Sequence, residues 1–316
     1  MKTIYIHIGL GKTGTTTIQK HMGQCYKEYL RQGLRYIQSS GGIEGSGHQN
    51  FAKSFITELP YYMQAPNKAK NFRNDVAEEI KNSDERIFLL SSENFPIADP
   101  KQVKIFFDEI AKDFQYKILL FVRSQDELAE SEYNQIIKVR NEHRSFYSYV
   151  KSNFDGDFMN LAMKWESEFG RDNLICHVYN AKSRTAISNF IRCLPIDLNK
   201  LNNKIKTSEE SNNKSSGFIE VVIKRMLNIL HPNEAQNKHI ELSENITNVL
   251  KKIDIPSVFM NSKEATKFRK SYKKSNKKFN KRYLKINSSV LNGRKYTDQE
   301  RDRYFNINIK LTDIYK

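Results

Sequence analysis

The amino-acid sequence predicts an α/β fold in which helices cover both faces of a central parallel sheet. Five apolar runs have the length of buried strands, and they occupy residues 4–8, 34–37, 86–91, 117–122 and 173–179. Between them lie segments in which apolar residues recur with the 3.6-residue period of an amphipathic helix. Alternation of strands and helices is typical of a parallel sheet that is buried on both faces.

The helices between these strands are predicted from the spacing of their apolar residues. The first helix follows the first strand and places Ile18 and Met22 on one face. The helix at 124–138 begins at Ser124, a suitable N-cap, and has acidic residues in its first turn, where they complement the helix dipole. Further helices are predicted at residues 68–82 and 101–113, and two more lead to Phe169.

The pattern changes after about residue 195, where a polar loop and a helical extension are predicted. The loop covers residues 202–216, and helices follow at 217–230, 243–252 and 262–285. The last helix carries 11 Lys and Arg against one acidic residue. Its aromatic residues recur at helical spacing, which predicts a face that packs in the core, formed by Phe268, Tyr272, Phe279 and Tyr283.

Composition narrows the class of protein. The longest apolar runs in the 316 residues are too short to span a bilayer, and no secretory signal pattern opens the sequence. The three cysteines are widely spaced and suggest neither a metal site nor a disulfide framework, which predicts a cytoplasmic protein. The net charge of +16 fits either an anionic partner or a Lys- and Asn-rich composition that keeps the chain in solution.

The stretch IYIHIGLGKTGTTTIQKHM, from Ile4, combines a strand, a glycine-rich loop and a helix. This arrangement presents backbone N–H groups and a helix N-terminus to a phosphate-like group. The spacing from Gly9 to Gly14 fits the Walker pattern G-x-x-x-x-G. Thr15, however, stands where a nucleotide triphosphatase has its lysine, and Lys12 lies three residues earlier, inside the loop.

Other polar residues stand where predicted strands end. Glu93 follows the strand at 86–91, and Arg123 follows the strand at 117–122. Ligands of parallel α/β sheets bind outside the carboxyl ends of the strands, so the chemistry is expected there. A second glycine-rich loop, at 39–52, carries His48 and is long enough to be functional.

Two of these motifs together resemble those of sulfotransferases that use 3′-phosphoadenosine 5′-phosphosulfate (PAPS). HIGLGKTGTT resembles their 5′-phosphosulfate loop, and FVRSQDELAESEYNQ resembles their second motif, an Arg followed eight residues later by a Ser. WESEFGRDNLICHVY and FRKSYKKSNKKFNKRY are similar to later segments of bacterial members, especially those that act on cell-surface glycans. The resemblance covers most of the chain and implies a three-layer fold like that of P-loop NTPases.

The resemblance also implies which residues bind PAPS, which carries an anionic group at each end of its ribose. Arg123 and Ser131 are expected to bind the 3′-phosphate, and Lys12 is expected to stabilise the departing nucleotide phosphate. Lys214 or Ser215 is expected to touch the nucleotide from a closing loop. The 5′-phosphosulfate is assigned to Gly11, Lys12, Thr13, Gly14, Thr15 and Thr16.

Transfer to a hydroxyl also needs a general base. Glu93, in LLSSENF, resembles the catalytic glutamate of glycan sulfotransferases and is the first choice. His48, in GSGHQNFA, resembles a histidine of related bacterial proteins and is the second. His7 ends the first strand beside the loop, and a buried strand histidine of this kind is expected to be structural.

The sequence therefore predicts a PAPS-binding α/β core at residues 1–200 and a helical part at 201–316 that packs on the same domain and completes the nucleotide site. The predicted activity is metal-independent transfer of a sulfuryl group from PAPS, with PAP as product. The predicted acceptor is a saccharide or glycan hydroxyl, with anionic glycans among the options, and no nucleic-acid partner is expected.

Two alternatives remain open from the residues themselves. An ATP-dependent kinase of a small molecule could use the same fold, but Thr15 replaces its lysine and only Ser91–Ser92–Glu93 approaches an acidic Mg²⁺ ligand. A non-catalytic binder of nucleic acid or another polyanion could use the basic helix at 262–285.

Overall fold

The computed structural model describes residues 2–42, 47–60, 71–110, 113–180, 185–201, 217–230, 255–288, 291 and 294–314. The five strands are β1 (Thr3–Ile8), β2 (Leu34–Tyr36), β3 (Ile87–Ser92), β4 (Gln115–Val122) and β5 (Leu174–Val178). The helices of the N-terminal two thirds are α1 (Thr15–Gln24), α2 (Tyr26–Leu30), α3 (Gln49–Lys53), α4 (Phe72–Lys81), α5 (Pro100–Ile110), α6 (Gln125–Val139), α7 (Phe146–Asn153), α8 (Phe158–Phe169) and α9 (Ala186–Ile191). Those that follow are α10 (Phe218–Leu230), α11 (Ser262–Ser271), α12 (Lys273–Phe279) and α13 (Asp298–Ile314).

The five strands form one parallel sheet in the order β2-β3-β1-β4-β5. The central strand β1 pairs with β3 on one side and β4 on the other, and Ile8 lies opposite Ser92 and Leu120. The loop from β1 to α1 is the glycine-rich loop. The predicted α/β class, with its parallel sheet and its P-loop-like arrangement of strand, loop and helix, is confirmed.

Helices cover both faces of the sheet. On one face, Tyr5, Leu89 and Phe121 form a buried cluster with side chains of α1, α2 and α9. On the other, the ring of Tyr116 contacts Phe107 of α5 and Phe169 of α8. Successive residues of a strand point to opposite faces, so the apolar runs of the sequence supply both interfaces. The described helices include none with the length and apolar character needed to cross a bilayer.

The chain forms two compact units that combine distant segments. The first unit contains Met1–Arg123, Asp157–Asn212 and Ser275–Gly293, and the second contains Ser124–Gly156, Asn213–Lys274 and Arg294–Lys316. This grouping differs from a linear division at residue 200. Glu130 of 124–156 binds Phe259 and Arg301 of the second unit, whereas Arg282 and Tyr283 bind Glu166 of the first unit. The prediction that 201–316 completes a nucleotide site stays a prediction.

The second unit contains a buried charge cluster on α6. Glu130 Oε1 accepts the backbone N–H groups of Phe259 and Met260 at 2.9 and 3.0 Å and pairs with Arg301 Nη1 at 2.8 Å. Arg301 also lies 3.3 Å from Asp126. The sequence predicted Asp126 as a first-turn charge of this helix. The structure adds a buried arginine as its partner.

The basic segment predicted as one helix at 262–285 is broken. It forms α11, α12 and a π-helical turn at Asn280–Leu284. Its aromatic residues pack as predicted: Phe268 contacts Phe154 in the second unit, and Phe279 is buried in the first. Helix α13 was not predicted, and the predicted helix at 243–252 lies outside the described residues.

We expect Arg301→Met to lower the free energy of unfolding by about 3–5 kcal/mol, because it leaves the buried Glu130 without its cation, whereas Asp126 keeps Arg269. Urea denaturation measures this. The control is Arg294→Met, which removes an exposed pair with Asp298 and should cost less than about 1 kcal/mol. Equal losses for the two variants would contradict a special role for the buried cluster.

Candidate active site

The glycine-rich loop turns sharply as it leaves β1. The Gly9 N–H donates to Ser92 O at 3.0 Å, which ties the start of the loop to the end of β3. A Cβ on Gly9 would lie 2.5 Å from Thr15 Cγ2. Only glycine therefore fits this position without moving the loop.

Threonine side chains close the loop from within. The hydroxyls of Thr13 and Thr15 both donate to Leu10 O, at 2.7 and 3.2 Å, and both residues are buried. Their hydroxyls thus hold the loop in shape, while Thr16 is exposed. Of the groups that the sequence assigned to the phosphosulfate, the backbone N–H groups and Thr16 are therefore better placed than the two buried hydroxyls.

Helix α1 begins without a side-chain cap. Gly14 occupies the N-cap with φ of 83°, in the left-handed region. The first bond into the helix runs from Ile18 N–H to Gly14 O at 3.0 Å, so the N–H groups of residues 15–17 have no acceptor within the helix. These donors and the positive end of the helix dipole suit an anion such as a phosphate or phosphosulfate.

Lys12 and Arg123 are in direct contact although 111 residues separate them. Lys12 has φ of 65°, and its carbonyl accepts a hydrogen bond from Arg123 Nη1 at 3.1 Å. The Arg123 guanidinium also lies 5.8 Å from the centre of the Tyr179 ring and is only 8% exposed. The structure therefore brings together two of the residues that the sequence singled out.

Glu93 follows β3 directly, beside the loop. Burial raises the pKa of its carboxyl, and the Lys12 ammonium lowers it in part. A raised pKa is what a carboxylate needs to accept a proton near neutral pH. The strand order explains why Glu93 lies close to Lys12, since β3, which precedes Glu93, is the neighbour of β1, which precedes the loop.

His48 is held in a way that argues against its predicted role as a base. It is fully buried, its Nδ1 accepts the Ser91 N–H at 3.0 Å, and its Nε2 lies 2.8 Å from Ile37 O. A neutral ring with its proton on Nε2 satisfies both contacts, and burial lowers its pKa. Because β2 ends at Tyr36, His48 supplies the partner that Ser91 would otherwise lack.

Three polar residues around Glu93 were not among the site residues predicted for sulfuryl transfer, although Ser92 was considered as part of a Mg²⁺ site for a kinase. Ser92 Oγ donates to Gln49 Oε1 at 2.8 Å and accepts the Asn94 N–H at 3.0 Å. The Asn94 side-chain amide donates to Gln49 O at 3.1 Å. These bonds fix the turn that carries Glu93. Their only signal in the sequence was their position beside Glu93 and His48.

The remaining predicted site residues stay predictions. Ser131 lies on α6, in the second unit, and is partly exposed. Lys214 and Ser215 fall outside the described residues.

Comparisons with known proteins give structural matches only. No protein-family model matches the chain, and no curated protein matches it significantly. One solved structure that matches is a sulfotransferase from Alicyclobacillus acidocaldarius, with a TM-score of 0.41 and 11% identity over 73% of this chain and 96% of that one. Another is mouse sulfotransferase SULT7A1 complexed with PAP, with a TM-score of 0.37 and 14% identity over 68% of each chain.

We expect Gly14→Ala to lower the free energy of unfolding by about 1–2 kcal/mol or more, since a side chain is strained at this φ. Its Cβ would also lie 3.0 Å from Ala186 Cβ and from Tyr179 Cε2. The matched control is Gly11→Ala, where a Cβ would meet no described atom within 4 Å, and the change should stay within about 0.5 kcal/mol. Urea denaturation distinguishes them, and a Gly14→Ala variant as stable as the control would refute the argument.

Proposed function

We propose that this chain is a PAPS-dependent sulfotransferase that transfers a sulfuryl group to a hydroxyl of a saccharide. The observation that carries the proposal is the pairing of Lys12, in an anion-binding loop, with Glu93, a carboxyl of raised pKa at the next strand end. Together they offer a charge for the leaving group and a base for the acceptor. The wide spacing of the three cysteines favours a cytoplasmic location.

The donor end of the reaction is assigned to the loop after β1. The backbone N–H groups of residues 11–16 and the N-terminus of α1 would bind the phosphosulfate. PAPS supplies a sulfuryl group whose S–O bond to the nucleotide phosphate breaks as the acceptor oxygen attacks sulfur. Lys12 stabilises the negative charge on the departing phosphate oxygen.

The nucleotide end is assigned mainly from the sequence motif. Arg123 is proposed to bind the 3′-phosphate, because the fork of its guanidinium suits a phosphate. Its bond to Lys12 O places it next to the loop proposed for the 5′ end of the same nucleotide. Ser131 and either Lys214 or Ser215 are proposed for the same nucleotide on the motif alone.

Glu93 is proposed as the general base. It would take the proton of the acceptor hydroxyl as the oxygen attacks sulfur, and its raised pKa favours that transfer. His48 is not proposed, since both ring nitrogens already bind backbone groups. The saccharide acceptor is proposed from the resemblance of residues 165–179 and 268–283 to glycan sulfotransferases, and the charge of +16 would suit an anionic glycan.

The first test is binding of adenosine 3′,5′-bisphosphate, measured by isothermal titration calorimetry without Mg²⁺. We expect micromolar affinity, which Arg123→Ala abolishes because the 3′-phosphate loses its partner. Arg86→Ala is the control, since Arg86 is exposed and precedes β3, at the opposite end of the sheet. Lys12→Ala should keep much of the affinity and lose turnover. Tight binding of ATP–Mg²⁺ with none of the bisphosphate would overturn the proposal in favour of a kinase.

A second test separates the two candidate bases through the pH dependence of kcat/KM. A carboxyl accepts a proton only in its ionised form, so activity should fall as the pH drops through the raised pKa of Glu93, above the ordinary value of about 4.3 for glutamate. Glu93→Gln should remove this acidic limb and reduce kcat by roughly 10²–10⁴-fold.

His48→Asn serves as the comparison in the same assay. Asparagine keeps an acceptor close to the position of Nδ1. The variant should therefore retain most of the activity, and the acidic limb of its kcat/KM profile should stay at the same pH. If Glu93→Gln keeps full activity and His48→Asn removes the limb, the base is His48.

A further inference from the structure

Ser91 is the next-to-last residue of β3 and lies two residues before Glu93. Its side chain is fully buried. Its Oγ lies 2.8 Å from His7 Nδ1 and 3.1 Å from Gln19 Nε2. The hydroxyl therefore joins β3 to two other elements of the first unit.

Those two elements are the ones that flank the anion-binding loop. His7 belongs to β1, which leads into the loop, and Gln19 belongs to α1, which leaves it. Gln19 Nε2 donates to Ser91 Oγ and also lies 3.3 Å from Ser91 O. One hydroxyl thus contacts both sides of the loop that carries Lys12.

The protons of this group can be assigned from donors and acceptors. Because Gln19 donates to the Ser91 hydroxyl, that hydroxyl is free to donate its own proton to His7 Nδ1. Burial lowers the pKa of His7 to about 3, so its ring is neutral and can accept on Nδ1. With the ring protonated on Nε2, the hydroxyl donates to His7 and accepts from Gln19; with the ring protonated on Nδ1, it accepts from both. In either form it bonds both sides of the loop.

The backbone of Ser91 is held from the opposite side by the loop before α3. The His48 N–H donates to Ser91 O at 2.8 Å, and His48 Nδ1 accepts the Ser91 N–H at 3.0 Å. In the same loop, a Cβ on Gly47 would lie 2.2 Å from Gln19 Nε2. Side chain and backbone of Ser91 are both fixed by buried polar groups.

We propose that Ser91 is a positioning residue that holds Glu93 in place relative to Lys12, with Gln19 and His48 as its supports. The proposal rests on the sulfotransferase function proposed above. Neither the Ser91 side chain nor its partners need touch a substrate. They act by fixing the end of β3, from which the turn with Glu93 begins. The next residue, Ser92, accepts the Gly9 N–H through its carbonyl, and this bond links the turn to the loop that carries Lys12.

The test compares Ser91→Ala with wild type in two measurements. The first is release of PAP from PAPS with a hexose oligosaccharide as probe acceptor. We expect kcat to fall by roughly 10–100-fold, since small displacements of a base are costly, while the dissociation constant for PAP stays unchanged. The second is hydrogen exchange of the Gly9 amide, which should become faster. This measurement does not depend on any activity.

Two further variants make the result specific. Gln19→Met keeps the side-chain volume but removes the donor, so it should reproduce the loss of kcat even if Ser91→Ala folds poorly. Ser83→Ala removes a different buried serine hydroxyl, which bonds Glu79 O, and should leave kcat and Gly9 exchange unchanged.

The outcomes separate this proposal from the proposed function. Wild-type kcat in both Ser91→Ala and Gln19→Met would overturn the positioning role. If wild-type protein neither binds PAP nor releases it from PAPS, the proposed function fails. The exchange rate of the Gly9 amide then decides by itself whether Ser91 holds the loop and the end of β3 together. Faster exchange in Ser91→Ala than in Ser83→Ala then supports the positioning role, and equal exchange overturns it.

Discussion

Parallel pairing of β1 between β3 and β4 sets the position of each group proposed for catalysis in the first unit. Ile8 lies level with Ser92 on one side and Leu120 on the other, so the loop with Lys12 and the turn with Glu93 begin at the same height. β4 continues to Val122 before Arg123 follows. Backbone pairing of the strands therefore brings groups from distant parts of the chain to one edge of the sheet.

Two glutamates show that a raised pKa does not by itself identify a base. Burial raises the pKa of Glu130 to about 7, but its oxygen accepts two backbone N–H groups and pairs with Arg301. Such a carboxylate is bound in place and serves the packing of α6. The pKa of Glu93 is raised by the same cause, yet the residue is only half-buried and sits beside Lys12 of the glycine-rich loop. Position and partners, more than acidity, separate the two roles.

Sequence reasoning succeeded where local pattern determines structure. All five strands were predicted, as was the position of the glycine-rich loop, because burial on both faces requires apolar runs and tight turns require glycine. It failed where a contact joins distant segments. Nothing in GSGHQNFA indicates that the His48 ring binds backbone of β3, and nothing in residues 124–156 indicates that they pack with the C-terminal helices.

The missed helix α13 has a different reason. It opens with six polar residues, at 298–303. In its second half Ile307, Leu311 and Ile314 recur at helical spacing, but Phe305 and Ile309 lie on another side, so the periodicity is weak. For the site, sequence reasoning brought forward Lys12, Glu93 and Arg123, which the structure places along neighbouring strand ends. The support provided by Ser91, Gln19 and Gln49 depends on side-chain direction, which a sequence pattern does not specify.

The start of α1 has a consequence for how the stability of this protein would respond to dissolved anions. With Gly14 at the N-cap, the donors at the head of the helix have no side-chain acceptor, and water must serve them in the free protein. Any anion that binds there only in the folded state adds RT ln(1 + [L]/Kd) to stability. If phosphate or sulfate binds at these donors, a melting temperature measured in phosphate or sulfate buffer is a property of protein and buffer together.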